Sequence, residues 1–161
     1  GDSLAHLRNE IEKLALVIDG KDRITMAMMK DFSTWQRSFV LDDFLKAVGN
    51  RDAERALQTG LQLMDQADSI LALVFPLFTM FQELVYRKMA RRGTFQTYRG
   101  FIPLSVDIRK RLPNFAESYQ FDELVLAVQQ LHEIDRRTKS TQSSALSELS
   151  QFVTRIVARN E

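Results

Sequence analysis

Ile70-Leu71-Ala72-Leu73-Val74-Phe75-Pro76-Leu77-Phe78-Thr79-Met80-Phe81 is the longest apolar run in the chain. It falls well short of the roughly 20 residues that a helix needs to cross a bilayer. It therefore reads as a buried core helix. The whole segment, about Ser69 to Arg92, is apolar nearly all round in its first half, the pattern of the central helix of a bundle. Pro76 should kink it, because the ring removes the bond to the Ala72 carbonyl.

Working outward towards the C-terminus, the pattern fails from Gly93 to Gly100, and Thr94, Gln96, Thr97 and Arg99 suggest an irregular loop carrying Phe95 and Tyr98. Pro103 then starts a helix that Pro113 bends or ends. Phe121 to about Thr138 is amphipathic, with Leu124, Val128, Leu131 and Ile134 inward. Ser140-Thr141-Gln142-Ser143-Ser144 is a polar connector, and a last helix buries Leu146, Leu149, Phe152, Val153 and Ile156.

Towards the N-terminus, Asp52 is placed to cap a helix on which Ala56, Leu57, Leu61 and Met64 share a face and Gly60 is the weak point. Before it, a segment from about Phe39 to Val48 turns Leu41, Phe44, Leu45 and Val48 inward and ends at Gly49-Asn50. Thr25 can cap a short helix through Phe32, which Ser33 and Thr34 punctuate. Leu4, Leu7, Ile11, Leu14 and Ile18 share one helical face, with Arg8, Glu12 and Lys13 outward, until Asp19-Gly20 stops it. The first part reads as a two-helix remnant without its upstream packing partners. No run shows strand alternation, and there is no fixed-period repeat or low-complexity tract.

With 161 residues, 45% of them apolar, the chain can bury a substantial core, and its six Gly and three Pro are few for a turn-rich β protein. The absence of cysteine excludes disulfides, thiolate metal sites and cysteine nucleophiles, and allows an intracellular, reducing home. A net charge of +1 gives no global field for polyanions. Gly1-Asp2-Ser3 opens straight into a helical pattern without a signal peptide, as expected of a piece cut from a longer protein.

Residues that would carry chemistry are sparse. No glycine cluster precedes a helix to cradle phosphate. His6 and His132 lack a partner at i+4, so no zinc pair of the His-x-x-x-His kind is present. Asp42-Asp43 and Asp122-Glu123 are adjacent, and adjacent helical side chains point about 100 degrees apart, so neither pair clamps one metal or proton by itself. Asp122 and Glu123 instead suit a first helical turn. The Ser-rich stretch at 140–150 has no nucleophile elbow. No catalytic, cofactor or metal site is nominated.

The most unbalanced stretch holds Arg87, Lys88, Arg91, Arg92, Arg99, Arg109, Lys110 and Arg111 against the single acid Asp107. With Phe95 and Tyr98 interleaved it could contact phosphates or an acidic partner, and it equally suits a solvated helix end. Arg136, Arg137 and Lys139 close a helix in the same way, with Asp135 four residues before Lys139.

Four segments, in order, carry a family resemblance: Asn9-Glu10-Ile11-Glu12-Lys13-Leu14; Ile24-Thr25; Ala47-Val48-Gly49-Asn50-Arg51-Asp52-Ala53-Glu54-Arg55-Ala56-Leu57; and Leu131-His132-Glu133-Ile134-Asp135-Arg136-Arg137-Thr138-Lys139-Ser140. Together they resemble the bacterial DNA polymerase III delta subunit family, the wrench of the sliding-clamp loader. The resemblance departs between Gly93 and Pro113. There the family has a Leu-Gly-like turn and a His-Pro before a helix, whereas this chain has Phe101-Ile102-Pro103 and a second proline.

The resemblance implies an all-α chain in which residues 1–37 end an AAA+-type helical lid and residues 38–161 form a collar-like bundle, in all about five to seven helices after a small two-helix lid remnant. It implies a non-catalytic, cofactor-free part of the DNA replication machinery, in the bacterial cytoplasm and away from membranes. The implied partners are gamma/tau and delta-prime type loader subunits in a hetero-pentamer, with primer-template DNA in the intact complex. The sliding clamp would be reached only through an N-terminal domain outside this sequence. The competing expectation is a stand-alone nucleic-acid-binding helical module using residues 87–111.

Overall fold

The computed structural model describes residues 26–65, 69–91, 102–140 and 144–158, together with Glu12. Among the residues from Met26 onward that it describes, six α-helices follow one another: α1 Met26–Gly49, α2 Ala53–Asp65, α3 Leu71–Arg91, α4 Val106–Ser118, α5 Phe121–Ser140 and α6 Ala145–Phe152. A π-helical turn, Val153–Val157, closes the series, and no strand occurs among the described residues. The expected all-α class is therefore what the chain adopts. It divides into two compact units, Gly1–Phe39 and Val40–Glu161. The packing below is that of the second.

Several expected boundaries move. The helix expected to end near Phe32 and the segment expected to open near Phe39 are one continuous helix, α1. Ser33 and Thr34 each cost only about half a kcal/mol in a helix interior, less than nucleating a second helix, and neither Gly nor Pro interrupts the run. Thr25, Asp19-Gly20, His6 and the Leu4 to Ile18 stripe lie outside the described residues. Pro103 does not start α4. Ser105 does, its hydroxyl accepting from the Ile108 amide at 3.2 Å. Pro113 does not end α4, which runs on to Ser118. Its ring sits on the exposed face, where the freed Arg109 carbonyl can turn to water. Likewise α3 continues through Pro76.

The turn after α1 organises the core. Asp52 N–H donates to the Ala47 carbonyl at 2.9 Å and Arg51 N–H to the Val48 carbonyl at 3.1 Å, the paired bonds of a Schellman cap. The left-handed position in that cap is Arg51, at φ 61°, not a glycine. Gly49 serves a different end. A Cβ there would stand 2.5 Å from ring carbons of Phe115, so only glycine lets α1 approach α4 this closely.

Arg51 offsets its backbone cost through its side chain, which is only 6% exposed. Its Nε donates to the Ser118 carbonyl at 2.7 Å and Nη1 to the Ile156 carbonyl at 3.2 Å, while Nη2 pairs with Glu123. The guanidinium lies 4.0 Å from the centroid of the Tyr119 ring. Tyr119 is itself buried, donates its hydroxyl to the Val48 carbonyl at 2.5 Å, and meets Phe81 edge-on at 5.5 Å. Phe81 meets Phe152 edge-on at 5.9 Å, so one aromatic line runs from the α4–α5 turn through α3 to α6.

Around that line α3 packs lengthwise on α5 and also on α4, while α2 packs on α6 and the π turn. Of the expected inward face of α2, Ala56 is fully buried and Leu57 and Met64 pack half-buried on the core, but Leu61 is 40% exposed and Thr59, Gly60 and Leu63 take the other buried positions. Close approach favours Gly60 over Leu61 on that face: a Cβ on Gly60 would come within 2.9 Å of Leu149 and 3.1 Å of Phe44. On α5 Ala127 rather than Val128 is fully buried, beside Leu124, Leu131 and Ile134. On α6 Leu146 is 51% exposed, whereas Leu149 and Phe152, with Val153 and Ile156 of the π turn, are buried as expected.

Arg51→Ala is expected to cost about 3 kcal/mol of unfolding free energy, because charge-assisted bonds to two carbonyls and a carboxylate are lost from a dry site. Urea denaturation followed by circular dichroism measures it. A change within about 0.5 kcal/mol, the size of an ordinary surface substitution, would contradict this account.

Candidate interaction surfaces

The basic residues singled out above do not form one patch. Arg87 and Lys88 are half-buried on α3, and Arg91 is its last residue. The side chain of Arg91, with Arg92, Arg99, Phe95 and Tyr98, lies outside the described residues. Arg109, Lys110 and Arg111 are exposed on α4. Arg136 is engaged by Glu133 at 2.9 Å, and Arg137 reaches the buried Glu148 of α6 at 2.8 Å. That second pair fastens α5 to α6, a structural use that the adjacency of Arg136 and Arg137 does not reveal.

A chain of ion pairs accounts for another part. Arg55 meets Asp43 at 3.2 Å, Asp43 meets Lys46 at 3.7 Å, Lys46 meets Asp107 at 2.8 Å and Asp107 meets Arg111 at 3.2 Å. It ties α2, α1 and α4 together along the surface. The hydrogen bond from Lys46, and then that from Arg111, hold the Asp107 carboxyl below its ordinary range against some desolvation. Glu133 is likewise lowered, chiefly by its hydrogen bond from Arg136. Asp107 thus lends its negative charge to Lys46 and Arg111, the latter exposed like its neighbours Arg109 and Lys110.

The carboxylate pairs diverge as helical geometry demands. Glu123 accepts from the Gln120 amide at 2.6 Å, the reciprocal half of a capping box, and also holds Arg51. Burial pushes the Tyr119 phenol far above its usual value, so it stays a neutral donor to Val48. The expected Asp135–Lys139 pair forms at 2.7 Å. Among the described residues no group of three or more His, Asp or Glu side chains could hold a metal ion, and no helix is long and apolar enough to cross a membrane.

The feature that the sequence reading missed is apolar. Phe75, inside the run expected to be buried, is 64% exposed. It borders a depression of about 380 Å³ between α3 and α5, lined by Leu71, Val74, Phe78, Leu131, His132, Asp135 and Lys139. A second depression of about 260 Å³ lies between Val85 and Tyr86 of α3 and Val125 and Val128 of α5, with Gln82 and Gln129 at its edges. The signal was available in outline: an apolar face all round a helix needs neighbours all round, and at Phe75 α3 is left largely uncovered.

Comparison with protein-family models, with curated proteins and with solved structures finds no match for this chain.

In an NMR pH titration, Lys46→Met should move the Asp107 midpoint up towards the ordinary carboxylate value. Because the folded-state value is depressed, the contribution of Asp107 to stability is present above the ordinary carboxylate range and lost as pH falls through the folded midpoint. An unmoved midpoint would remove Lys46 as the main cause.

Proposed function

We propose that this chain is a non-catalytic assembly module of a bacterial sliding-clamp loader, the end of a delta-type lid followed by its collar, acting by binding neighbouring loader subunits. The observation that carries the reading is the division of labour on the second unit. Most of its described ionisable pairs brace one helix against another or close a helical turn, whereas Phe75 and the α3–α5 seam present unpaired apolar surface, the kind that subunit interfaces bury. The ordered resemblance over Asn9–Leu14, Ile24-Thr25, Ala47–Leu57 and Leu131–Ser140 supplies the identity of the partners. In this reading the clamp-opening residues belong to a part of the protein outside this sequence.

Mixed with gamma/tau and delta-prime type subunits of the same source at micromolar concentration, the chain should co-elute with them as one complex in size-exclusion chromatography. Separate elution would defeat the reading.

A second reading rests on the exposure of Arg109 and Lys110: a nucleic-acid-binding module that uses α4. It calls for DNA binding whose affinity falls steeply with salt, with a log–log slope that drops by roughly one for each phosphate contact removed in Arg109→Glu or Lys110→Glu. Salt-insensitive or absent binding sinks it.

A further inference from the structure

Val153–Val157 winds as a π turn, a geometry that proteins use sparingly and often at functional sites. Val153, Ile156 and Val157 are buried, and Thr154 and Arg155 are left exposed between them. There they line a depression of about 360 Å³ with Ser150 and Gln151 of α6 and Gln130 of α5. Its lining side chains supply a guanidinium, two hydroxyls and two primary amides, and no carboxylate.

The guanidinium is held without being neutralised. The side-chain oxygen of the half-buried Gln130 accepts from Arg155 Nε at 3.0 Å and from Nη1 at 2.7 Å. Arg51, Arg55, Arg111, Arg136 and Arg137 each meet a carboxylate, whereas Arg155 meets this neutral amide. Gln130 therefore fixes the direction of the fork and leaves its charge in place. The helix end beside it offsets roughly half a charge at most, and one of its carbonyls, that of Ile156, is already taken by Arg51. Among the described residues, Arg155 Nη2 and the hydroxyls of Ser150 and Thr154 have no protein partner to give up before meeting a ligand.

We infer that this depression binds the phosphate group of a small phosphate ester, through Arg155 and the hydroxyls of Ser150 and Thr154, with Gln130 holding the guanidinium in position. The donor set selects that chemistry. A guanidinium and two hydroxyls on successive turns can serve three oxygens, which a phosphate monoester offers and a carboxylate does not. The depression also lies at the small end of the roughly 300–1,000 Å³ range of ligand sites, with room for a few atoms beyond the phosphate. The assembly reading and this one stand or fall separately.

Glycerol 3-phosphate titrated into the isotope-labelled chain at constant ionic strength should give saturable NMR shifts of the Arg155 Nε–H and the Gln130 side-chain amide at millimolar concentration. Gln130→Glu keeps the shape of the wall but hands Arg155 a carboxylate, and it is expected to weaken binding at least about tenfold, as is Arg155→Gln. Both variants should melt as the parent does. Arg55→Gln, which removes the same charge from α2, should leave the affinity unchanged. Shifts that never saturate, binding that survives Gln130→Glu, or an equal loss in Arg55→Gln overturns the site. Acetate binding as tightly as the ester overturns the choice of phosphate, and inorganic phosphate binding tenfold more tightly than the ester makes the free ion the ligand instead.

Discussion

A buried guanidinium decides how the second unit is put together. Arg51 reaches the carbonyl that ends α4, the carboxylate that caps α5, the ring between those two helices and a carbonyl in the π turn after α6. An arginine this dry is tolerated only when nearly every face of the guanidinium is used. Here the requirement is met by helix ends, whose last carbonyls lack partners within their own helix. The charge and the helix ends thereby satisfy each other. Relative placement of α1, α4, α5 and the π turn after α6 follows, because each delivers a specific group to the same point.

Close approach is the second organising constraint, and glycine supplies it. Gly49 admits the Phe115 ring and Gly60 admits Phe44 and Leu149, positions at which any side chain would push two helices apart. The aromatic line of Tyr119, Phe81 and Phe152 then fills the space that the helices enclose. Small residues and large ones thus do complementary work, the former setting the distance and the latter filling it.

Periodicity located most helices because burial and amphipathic spacing coincide on α5 and α6, and because Asp52 and the residues before α3 are ordinary cap formers. It failed where burial is governed by something other than hydrophobicity. On α2 the inward face carries Thr59 and Gly60, which no scale of apolarity would choose over the exposed Leu61. On α3 an all-round apolar pattern concealed an unequal supply of neighbours, so Phe75 looked like core and lies at the surface. Arg51 was legible only as part of a turn. Its role depends on groups drawn from far along the chain, which no local window contains. Of the basic residues, those paired with distant acids, such as Arg137 with Glu148, could not be told from solvated ones for the same reason.

The bond from Arg51 to Ile156 joins residues 105 positions apart. A ribosome adding 5–20 residues per second would deliver the second roughly 5–20 seconds after the first. For roughly the first two thirds of that interval, until Ser118 to Glu123 are added, the arginine has a Schellman turn to occupy and its distant partners still unmade. Until then its left-handed backbone is held by water and local bonds, and its set of contacts is complete only once the π turn is in place. The turn at Arg51 is thus synthesised well before the groups that hold it.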